Sequence, residues 1–323
     1  MQLKTVYESV KEELLEVENR LKLLVESERT PFPELRQMLA NLLPGGKVIR
    51  PALTLLSGKL FNHNLSPLLP MAIAAELLHI ATLVHDDAVD KSSVRRHRPT
   101  IYKLWGEEKA VLLGDFLFAK AGELAATTGS IRVVTLFAQT LQTISRGELR
   151  QSFDAFKLKQ SREDYLYRVS CKTASLFSLA TQSGAILSQA SEPQIKALDE
   201  YAHNLGIAFQ IVDDILDFVG TAEEMGKPVG SDLTQGTLTL PPMLLLERYP
   251  EDNPVKRLFQ DRSRKEEIKQ AIELVRSPSI LQECYDVASD YSLKACRSLD
   301  LLPDSSSRRA LVALADFVIQ RRR

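Results

Sequence analysis

Apolar residues recur along this chain at the three- to four-residue spacing of amphipathic helices, and strand-like alternation is nearly absent. Good helix formers, chiefly Leu, Ala, Glu, Lys and Gln, fill most of the sequence. Sparse proline and glycine residues separate long helical segments, which are Pro67–Lys91, Gly106–Thr128, Ile131–Phe156, Arg162–Leu187 and Glu192–Val219. No composition shift marks a boundary, so we predict an all-α chain with one domain over residues 1–323, a bundle of roughly a dozen helices.

Composition narrows the class of protein. The 323 residues are 44% hydrophobic and 26% charged, and 14 Gly with 15 Pro are too few for a linker-rich chain. A formal net charge of −1 gives no overall positive field for nucleic acid. The three cysteines are widely spaced and indicate neither a zinc site nor a disulfide framework. The acid-rich helical pattern of Met1–Leu21 is unlike a signal peptide, so we expect a globular, cytoplasmic protein.

Two acidic segments share the pattern Asp-Asp-x-x-Asp near the end of a long apolar run. They are Asp86-Asp87-x-x-Asp90 and Asp213-Asp214-x-x-Asp217. Residues four apart on a helix project to one side, so each segment presents paired carboxylates. Like charges in a partly buried setting are costly unless a cation neutralises them, and hard oxygen ligands suit Mg²⁺. Single acidic runs are often solvated helix ends, but two such copies favour a metal site.

Cationic side chains that surround these segments suggest partners for phosphate oxygens. Lys47 and Arg50 share a face beside a predicted helix N-terminus, where backbone amides also favour anions. Lys172 lies within the apolar stretch Val169–Ala180, next to Thr173. Any one such cation is most often a surface residue, so only the combination with the acidic segments indicates diphosphate binding. The further candidates are His79, Arg95, Arg96 and Lys227.

Ordered motifs through the central two-thirds of the chain give a resemblance to a known family. The matching residues are Gly45-Gly46-Lys47-x-x-Arg50-Pro51, His85-Asp86-Asp87-x-x-Asp90, Arg95-Arg96, Pro99-Thr100, Gly114-Asp115, Lys172-Thr173, Phe209-Gln210-x-x-Asp213-Asp214-x-x-Asp217, Gly226-Lys227 and Gly230-x-Asp232-Leu233. In these the chain resembles the trans-isoprenyl diphosphate synthases of the polyprenyl synthetase family, and its long-chain members in particular. Each motif alone is weak, whereas the ordered set is specific.

The resemblance implies an all-α bundle of the isoprenoid synthase type, with both acidic motifs facing a central cavity. It implies Mg²⁺-dependent, head-to-tail condensation of isopentenyl diphosphate onto an allylic diphosphate by ionisation, condensation and elimination. Position by position, the resemblance implies that the metal ligands are Asp86, Asp90 and Asp213, supported by Asp87, Asp214 and Asp217. It implies that isopentenyl diphosphate is bound by Lys47, Arg50, His79 and Arg96, and the allylic diphosphate by Arg95, Lys172 and Lys227. It places Thr173 and Gln210 beside the reacting centre.

Four further positions are compared with the family, one for phosphate binding and three for product length. The family often has Lys where this chain has Thr237, so no phosphate role passes to that residue. In the family, bulky residues just before the first motif stop elongation, and Ala81 and Thr82 are small here, with Leu78 one turn deeper. The resemblance therefore predicts a long product of about six to ten isoprene units.

Several alternatives remain open. Glu76-x-x-His79 and Glu200-x-x-His203 have the spacing of di-iron helical bundles, but that interpretation leaves both aspartate segments unexplained. A terpene cyclase shares the metal chemistry but has no use for a second diphosphate pocket. A medium-chain (farnesyl or geranylgeranyl) synthase differs in product length. A non-catalytic regulatory chain of a heteromeric synthase has no need for both acidic motifs.

The expected partners are isopentenyl diphosphate, allylic diphosphates and a second copy of the chain, with a heterodimer as the alternative. The apolar segment Gly106–Thr128 is a candidate interface. No nucleic-acid partner is expected. The basic run Arg321–Arg323 is interpreted as a solvated tail, with at most peripheral contact with anionic lipid during product release, because three charges bind weakly.

Overall fold

The computed structural model describes residues 3–27, 33–42, 48–221 and 228–321. Within these ranges the ordered elements are helices and one two-stranded hairpin, so the all-α prediction is confirmed. The α-helices are α1 (Leu3–Val6), α2 (Lys11–Ser27), α3 (Pro33–Leu42), α4 (Ile49–Lys59), α5 (Leu65–Val89), α6 (Ile101–Trp105), α7 (Glu107–Thr127), α8 (Ile131–Asp154), α9 (Arg162–Val169), α10 (Ser175–Leu187), α11 (Glu192–Val219), α12 (Ser231–Thr234), α13 (Leu240–Arg248), α14 (Pro254–Gln260), α15 (Lys265–Val275), α16 (Pro278–Ser298) and α17 (Ser306–Gln320).

Four shorter elements complete the described ranges. They are 3₁₀ turns at Glu8–Val10 and Leu299–Leu301, a π-helical turn at Ser170–Ala174, and a hairpin of β1 (Val94–Arg95) and β2 (Arg98–Pro99). The long segments predicted from periodicity match α5, α7, α8 and α11 to within a few residues. The predicted segment Arg162–Leu187 is instead divided into α9, the π-helical turn and α10.

The chain forms two compact units. The first comprises Met1–Thr140, Leu176–Glu200 and Ser298–Leu314, and the second comprises Leu141–Ser175, Tyr201–Arg297 and Ala315–Arg323. In the first unit α5 packs along α7 and against α4. The second unit has an apolar core that includes Tyr165, Phe218 and Leu245. The assignment of residues 1–323 to one domain stays a prediction.

Side-chain caps define where several helices begin. The Asn64 side chain accepts a hydrogen bond from the Ser66 amide at 3.1 Å and starts α5. Ser161 and Asp164 form a reciprocal capping box at the start of α9. Such local bonds satisfy amides that have no partner within the helix. The cap of α5 thereby helps to define where this helix begins.

Helix α5 is long and apolar enough, by length and composition alone, to cross a membrane. However, 67% of its most apolar window is buried inside the protein. The core helix of a globular protein passes the same test, so this helix is weak evidence for a membrane span.

Candidate active site

The first aspartate segment lies at the C-terminal end of α5. Asp86 is partly buried, Asp87 is buried, and Asp90, just beyond the last helical residue, is exposed. Arg95 Nε donates to Asp87 Oδ1 at 2.9 Å and forms an ion pair with it. Burial raises the pKa of Asp87, and the Arg95 charge opposes that rise. A protein cation therefore neutralises Asp87, while Asp86 and Asp90 are the more accessible carboxylates.

The Gly114-Asp115 motif on α7 lies beside His85, the residue that precedes the first aspartate segment. His85 Nε2 lies 2.9 Å from the Val111 carbonyl oxygen and 3.5 Å from Asp115 Oδ1. A Cβ atom at Gly114 would lie 2.1 Å from His85 Nε2, so only glycine leaves room for the imidazole. The His85 ring also packs edge-on against Phe118, with centroids 5.0 Å apart. These contacts fix the end of α5 against α7.

A two-residue hairpin turn carries Arg96. The strands pair Arg95 with Arg98, and the intervening Arg96 and His97 have positive φ angles of 49° and 63°. Positive φ at both central residues is the geometry of a type I′ turn, which favours Asn and Gly. The turn therefore holds two residues in an uncommon backbone conformation and leaves Arg96 exposed.

Arg50, His79 and Arg96 act on one another electrostatically within the first unit. Arg50 is buried at the start of α4, with its guanidinium 5.2 Å from the centroid of the Phe177 ring. Burial, then the charges of Arg50 and Arg96, lower the pKa of His79 well below its ordinary value. The neutral imidazole offers one N–H donor. Three of the four residues predicted for isopentenyl diphosphate thus come together, and the fourth, Lys47, lies outside the described residues.

Glu76 is a buried acid one turn before His79 on α5. Its Oε2 atom is buried without a hydrogen-bond partner among the described residues. Burial raises the pKa of Glu76, and the charges of Arg50 and Arg96 oppose the rise. Burial therefore favours the neutral form of Glu76, and the two arginines favour the charged form.

Asp214 is the centre of a buried hydrogen-bond network in the second aspartate segment. Its Oδ2 accepts from the Tyr165 hydroxyl at 2.7 Å, and its Oδ1 accepts from Gln210 Nε2 at 2.8 Å. Gln210 Oε1 accepts from Thr173 Oγ1 at 2.6 Å. Burial and the charge of Asp232 raise the pKa of Asp214 to about 7, against the effect of both hydrogen bonds. The network fixes Thr173 and Gln210, the two residues predicted to line the reacting centre.

Asp217 binds the chain that follows α11. Its carboxylate accepts from Ser231 Oγ at 3.0 Å and from the Asp232 amide at 3.3 Å, at the start of α12. Its carbonyl oxygen accepts from the amide of Gly230 at 2.9 Å. Gly230 has a φ of 71°, which glycine adopts without strain. Asp217 is buried, so it anchors the Gly230-x-Asp232 motif.

Lys172 lies on the π-helical turn Ser170–Ala174 and is partly buried. Its Nζ atom forms an ion pair with Glu148 Oε1 at 2.6 Å and donates to Gln151 Oε1 at 3.1 Å. Both partners lie on α8, one turn apart. These bonds hold the Lys172 ammonium in a defined position, and π-helical turns are frequent at functional sites.

Two glycines allow neighbouring helices to approach this π-helical turn. A Cβ atom at Gly147 of α8 would lie 2.6 Å from Cys171 Cβ, and one at Gly206 of α11 would lie 2.5 Å from Ala174 Cα. Contacts that short require a backbone shift. The close packing therefore depends on both glycines.

Arg321 is not part of a solvated tail, so that prediction is wrong for this residue. Its side chain is buried and forms a short ion pair with Asp213. Its guanidinium also lies 4.1 Å from the centroid of the Phe209 ring. An aromatic face and a carboxylate together remove this cation from solvent. Arg322 and Arg323 lie outside the described residues, as do Lys227 and its neighbour Gly226.

The predicted chain-length residues lie on α5 before the first aspartate segment. Leu78 and Ala81 are fully buried. Thr82 is partly buried, and its hydroxyl donates to the His79 carbonyl oxygen at 2.7 Å. Their role in product length stays a prediction, as does the expectation that the two aspartate segments face each other.

The donors present fit a divalent metal that also binds substrate oxygens. No three His, Cys, Asp or Glu side chains converge as a ready ligand cage within the described ranges. Mg²⁺ in proteins is commonly bound by one or two carboxylates, with waters and phosphate oxygens completing the shell. Asp213, with 40% of its side chain exposed, can offer an oxygen atom to such a metal.

Sequence reasoning missed the residues that hold the predicted ligands. They are Glu148, Gln151, Tyr165 and Arg321. Gly147 inside a long helical pattern was an available signal, because such a glycine indicates close backbone approach beside it. Arg168 is buried and donates to the Leu238 carbonyl oxygen, a contact between residues 70 apart that periodicity does not reveal.

Comparison with known proteins identifies the family. The family model described as polyprenyl synthetase matches residues 32–275. The chain is 37% identical over 324 residues to heptaprenyl diphosphate synthase component 2 of Geobacillus stearothermophilus, and the match covers 99% of both. The structure of heptaprenyl diphosphate synthase from Staphylococcus aureus has a TM-score of 0.91 at 36% identity, over 97% of this chain and 98% of that one. Polyprenyl synthase from Caulobacter crescentus, in complex with calcium and isoprenyl diphosphate, has a TM-score of 0.91 at 33% identity, over 100% and 98%.

The chain belongs to the polyprenyl synthetase family, and the resemblance inferred from its motifs is confirmed. It is an enzyme, a prenyl transferase with the all-α isoprenoid synthase fold. Members of this family act on prenyl diphosphates with a divalent metal. These findings set aside the di-iron, terpene cyclase and non-catalytic alternatives.

Proposed function

We propose that this chain synthesises long-chain, all-trans polyprenyl diphosphates by adding isopentenyl diphosphate head-to-tail to allylic diphosphates, with Mg²⁺ as the metal. The observation that carries the proposal is the second aspartate segment, where protein donors occupy Asp214 and Asp217 and a cation binds Asp213. Of the three carboxylates, Asp213 is the one that solvent reaches, with 40% of its side chain exposed, while Asp214 and Asp217 position neighbouring residues.

The chain's own side chains supply the rest of the chemistry. Arg50, His79 and Arg96, with Lys47, hold the diphosphate of isopentenyl diphosphate. Lys172, held by Glu148 and Gln151, donates to the allylic diphosphate together with Arg95 and Lys227. Fixed cations aimed at a departing anion lower the barrier because their charge is already oriented before ionisation.

Asp86, Asp90 and Asp213 would hold Mg²⁺, which supplies positive charge to the departing diphosphate when bound. Hydrogen bonds fix the side chains of Thr173 and Gln210. These two side chains would line the reacting centre. Their neighbours Ala174 and Ile211 are fully buried and would limit the access of water, which otherwise quenches an allylic cation. The alkene of isopentenyl diphosphate attacks the allylic carbon whose C–O bond to diphosphate has broken, so no protein nucleophile is needed. The resulting cation loses a proton to the released diphosphate, which restores a double bond.

A long product is supported by the small, buried Ala81 one turn before the first aspartate segment. A growing chain needs an apolar tunnel, and a small side chain at this depth leaves more room than an aromatic one. The heptaprenyl diphosphate synthases of Geobacillus stearothermophilus and Staphylococcus aureus, similar to this chain over nearly their full lengths, favour the same product class.

The experiment is incubation of purified protein with labelled isopentenyl diphosphate, Mg²⁺ and one starter at a time, from dimethylallyl to geranylgeranyl diphosphate. Products are dephosphorylated and sized by chromatography. We expect a ladder that ends at one long species and is lost with EDTA or in Asp86→Ala. A ladder that stops at farnesyl or geranylgeranyl would assign the chain to the medium-chain synthases and overturn the long-chain proposal.

We also propose that the active form is a homodimer. Helix α7 carries the exposed apolar side chains Val111 and Leu112, which a second copy would cover. The name of the Geobacillus stearothermophilus relative, component 2, supports a heteromer as the alternative. Placement in the cytoplasm remains a proposal from the sequence.

A further inference from the structure

A protein cation already binds the second aspartate segment. Arg321 directly follows α17, and only 5% of its surface is exposed. Its Nη2 atom donates to Asp213 Oδ1 in a short ion pair and to the Phe209 carbonyl oxygen at 3.4 Å. Phe209 and Asp213 are one helical turn apart on α11. The guanidinium thus lies over a single turn of α11, directly on the predicted metal ligand.

The hydrogen bonds of Arg321 do not fully replace the hydration that its buried guanidinium has lost. Arg321 Nε is buried without a hydrogen-bond partner among the described residues. A buried guanidinium with an unpaired donor has lost hydration that the protein does not fully replace. The Asp213 side chain, by contrast, is 40% exposed, against 4% for Arg321. Solvent, and a cation from solvent, therefore reach Asp213 without prior removal of Arg321.

The neighbouring carboxylates differ from Asp213 in their partners. The hydrogen bonds to Asp214 come from the neutral donors Tyr165 and Gln210. The carboxylate of Asp217 accepts from a hydroxyl and a backbone amide at the start of α12. The carboxylate of Asp213 is instead in direct contact with the full positive charge of the Arg321 guanidinium. The arginine therefore lies on the one carboxylate of this segment that is exposed enough to bind a metal.

We infer that Arg321 is a positioning residue for Asp213, a resident counter-cation that a divalent metal displaces from Oδ1. The inference rests on the proposed role of Asp213 as a metal ligand. It adds that Arg321 competes with the metal for this carboxylate. Two cations on one carboxylate oxygen repel each other strongly at contact distance. Arg321 therefore weakens metal binding, and by linkage the metal weakens the Arg321 contact by the same factor.

The test is a titration of the full chain with Mn²⁺ alone, followed by calorimetry and by water-proton relaxation, so that no turnover is involved. Arg321→Met removes the charge and keeps an apolar side chain of similar length, and Arg321→Lys keeps the charge. Arg309→Met is the matched control, because Arg309 is an exposed arginine on α17 that pairs with Asp304. We expect R321M to bind Mn²⁺ at least about fivefold more tightly, and R321K and R309M to stay close to the wild type.

Asp213→Asn separates this inference from the proposed function. If D213N binds Mn²⁺ as tightly as the wild type, Asp213 is not a ligand and the metal assignment fails. If D213N weakens binding but R321M binds equally to or more weakly than the wild type, the counter-cation role is wrong and the ligand assignment stands. In the double variant the gain from R321M should vanish, because both residues act on one carboxylate.

Discussion

Three carboxylates within five positions of α11 have three different environments. Asp213 is partly exposed and binds a guanidinium, Asp214 is buried among neutral donors, and Asp217 binds the start of α12. The sequence pattern correctly indicated an acidic segment, because spacing along a helix is a local property. It did not distinguish the three environments, because each depends on a partner from another part of the chain.

The Tyr165 hydroxyl gives the first prediction at the residue scale. Tyr165→Phe removes one donor from the buried Asp214 carboxylate, which costs about 1–3 kcal/mol of stability. It also loosens Gln210 and Thr173, so we expect kcat to fall more than the KM for either diphosphate rises. Thermal unfolding and steady-state kinetics measure both effects. Tyr167→Phe is the control, because Tyr167 is exposed on the same helix. Equal behaviour of the two variants would show that the network has no role.

His79 gives a prediction about pH. Its pKa in the folded chain lies well below the ordinary value, so the unfolded chain binds a proton more readily as pH falls below about 6.5. Its contribution to stability is complete above that pH and is lost as pH falls toward the folded-state pKa. We therefore expect the wild type to lose thermal stability between pH 7.5 and 5.5 more steeply than His79→Gln. The check is the difference in Tm between the two proteins at each pH. In this difference the contributions of titrating groups common to both proteins cancel. A difference that does not change with pH would contradict the prediction.

At the scale of elements, the π-helical turn Ser170–Ala174 positions Lys172 and Thr173 between the glycines of two neighbouring helices. Periodicity predicted one continuous helix over Arg162–Leu187, because a single extra residue in a turn barely changes the apolar pattern. The hairpin β1–β2 was also not predicted, since its turn lacks the Asn-Gly signal of such hairpins. The long helices were predicted well because their apolar residues recur over many turns, and α5 is buried on nearly all sides over Met71–Leu78.

Gly206→Ala tests the packing at the π-helical turn. The added methyl would lie 2.5 Å from Ala174 Cα, so we expect a loss of about 1–3 kcal/mol from forced backbone movement, together with reduced turnover. Gly122→Ala is the matched control, because its Cβ would meet only Phe137, at 3.8 Å. Removing that helical glycine should raise stability by about 0.5–1 kcal/mol. Thermal unfolding of both variants gives the comparison, and a stabilised G206A would contradict the close packing.

Ala81→Phe tests the proposed tunnel beside α5. The aromatic ring fills space below the first aspartate segment, so we expect the product to shorten to about three or four isoprene units. Ala81→Ser, a small change at the same position, should leave the product length unchanged. Chromatography of the dephosphorylated products measures both. An unchanged product distribution in A81F would show that another residue limits elongation.

At the scale of the whole molecule, exposed apolar side chains predict an assembly. We expect the 36.2 kDa chain to run as a dimer in light scattering after gel filtration, because α7 exposes Val111 and Leu112. Leu112→Asp should shift it to monomer, whereas Leu301→Asp, at an even more exposed leucine elsewhere, should not. A monomeric wild type, active only after addition of a second kind of chain, would favour the heteromer.

The sequence reveals less about contacts between distant residues than about helices and motifs. Asp213 and Arg321 are 108 positions apart, and Lys172 meets Glu148 from a different helix. Charge alone favours a solvated tail for Arg321, and only tertiary packing against Phe209 removes it from water. Fold class and family motifs depend on local order, so they could be predicted, whereas the partners that position each ligand could not.

The hairpin turn at Arg96 and His97 places two kinds of selection in conflict. Replacing Arg96 by Asn or Gly relieves a left-handed backbone and should raise the melting temperature of a library member. The same replacement removes a cation proposed to bind substrate. Directed evolution for heat resistance alone should therefore enrich such changes at this turn, while a screen for turnover should remove them. The opposite enrichment patterns would identify Arg96 as a position where catalysis, and not folding, determines the residue.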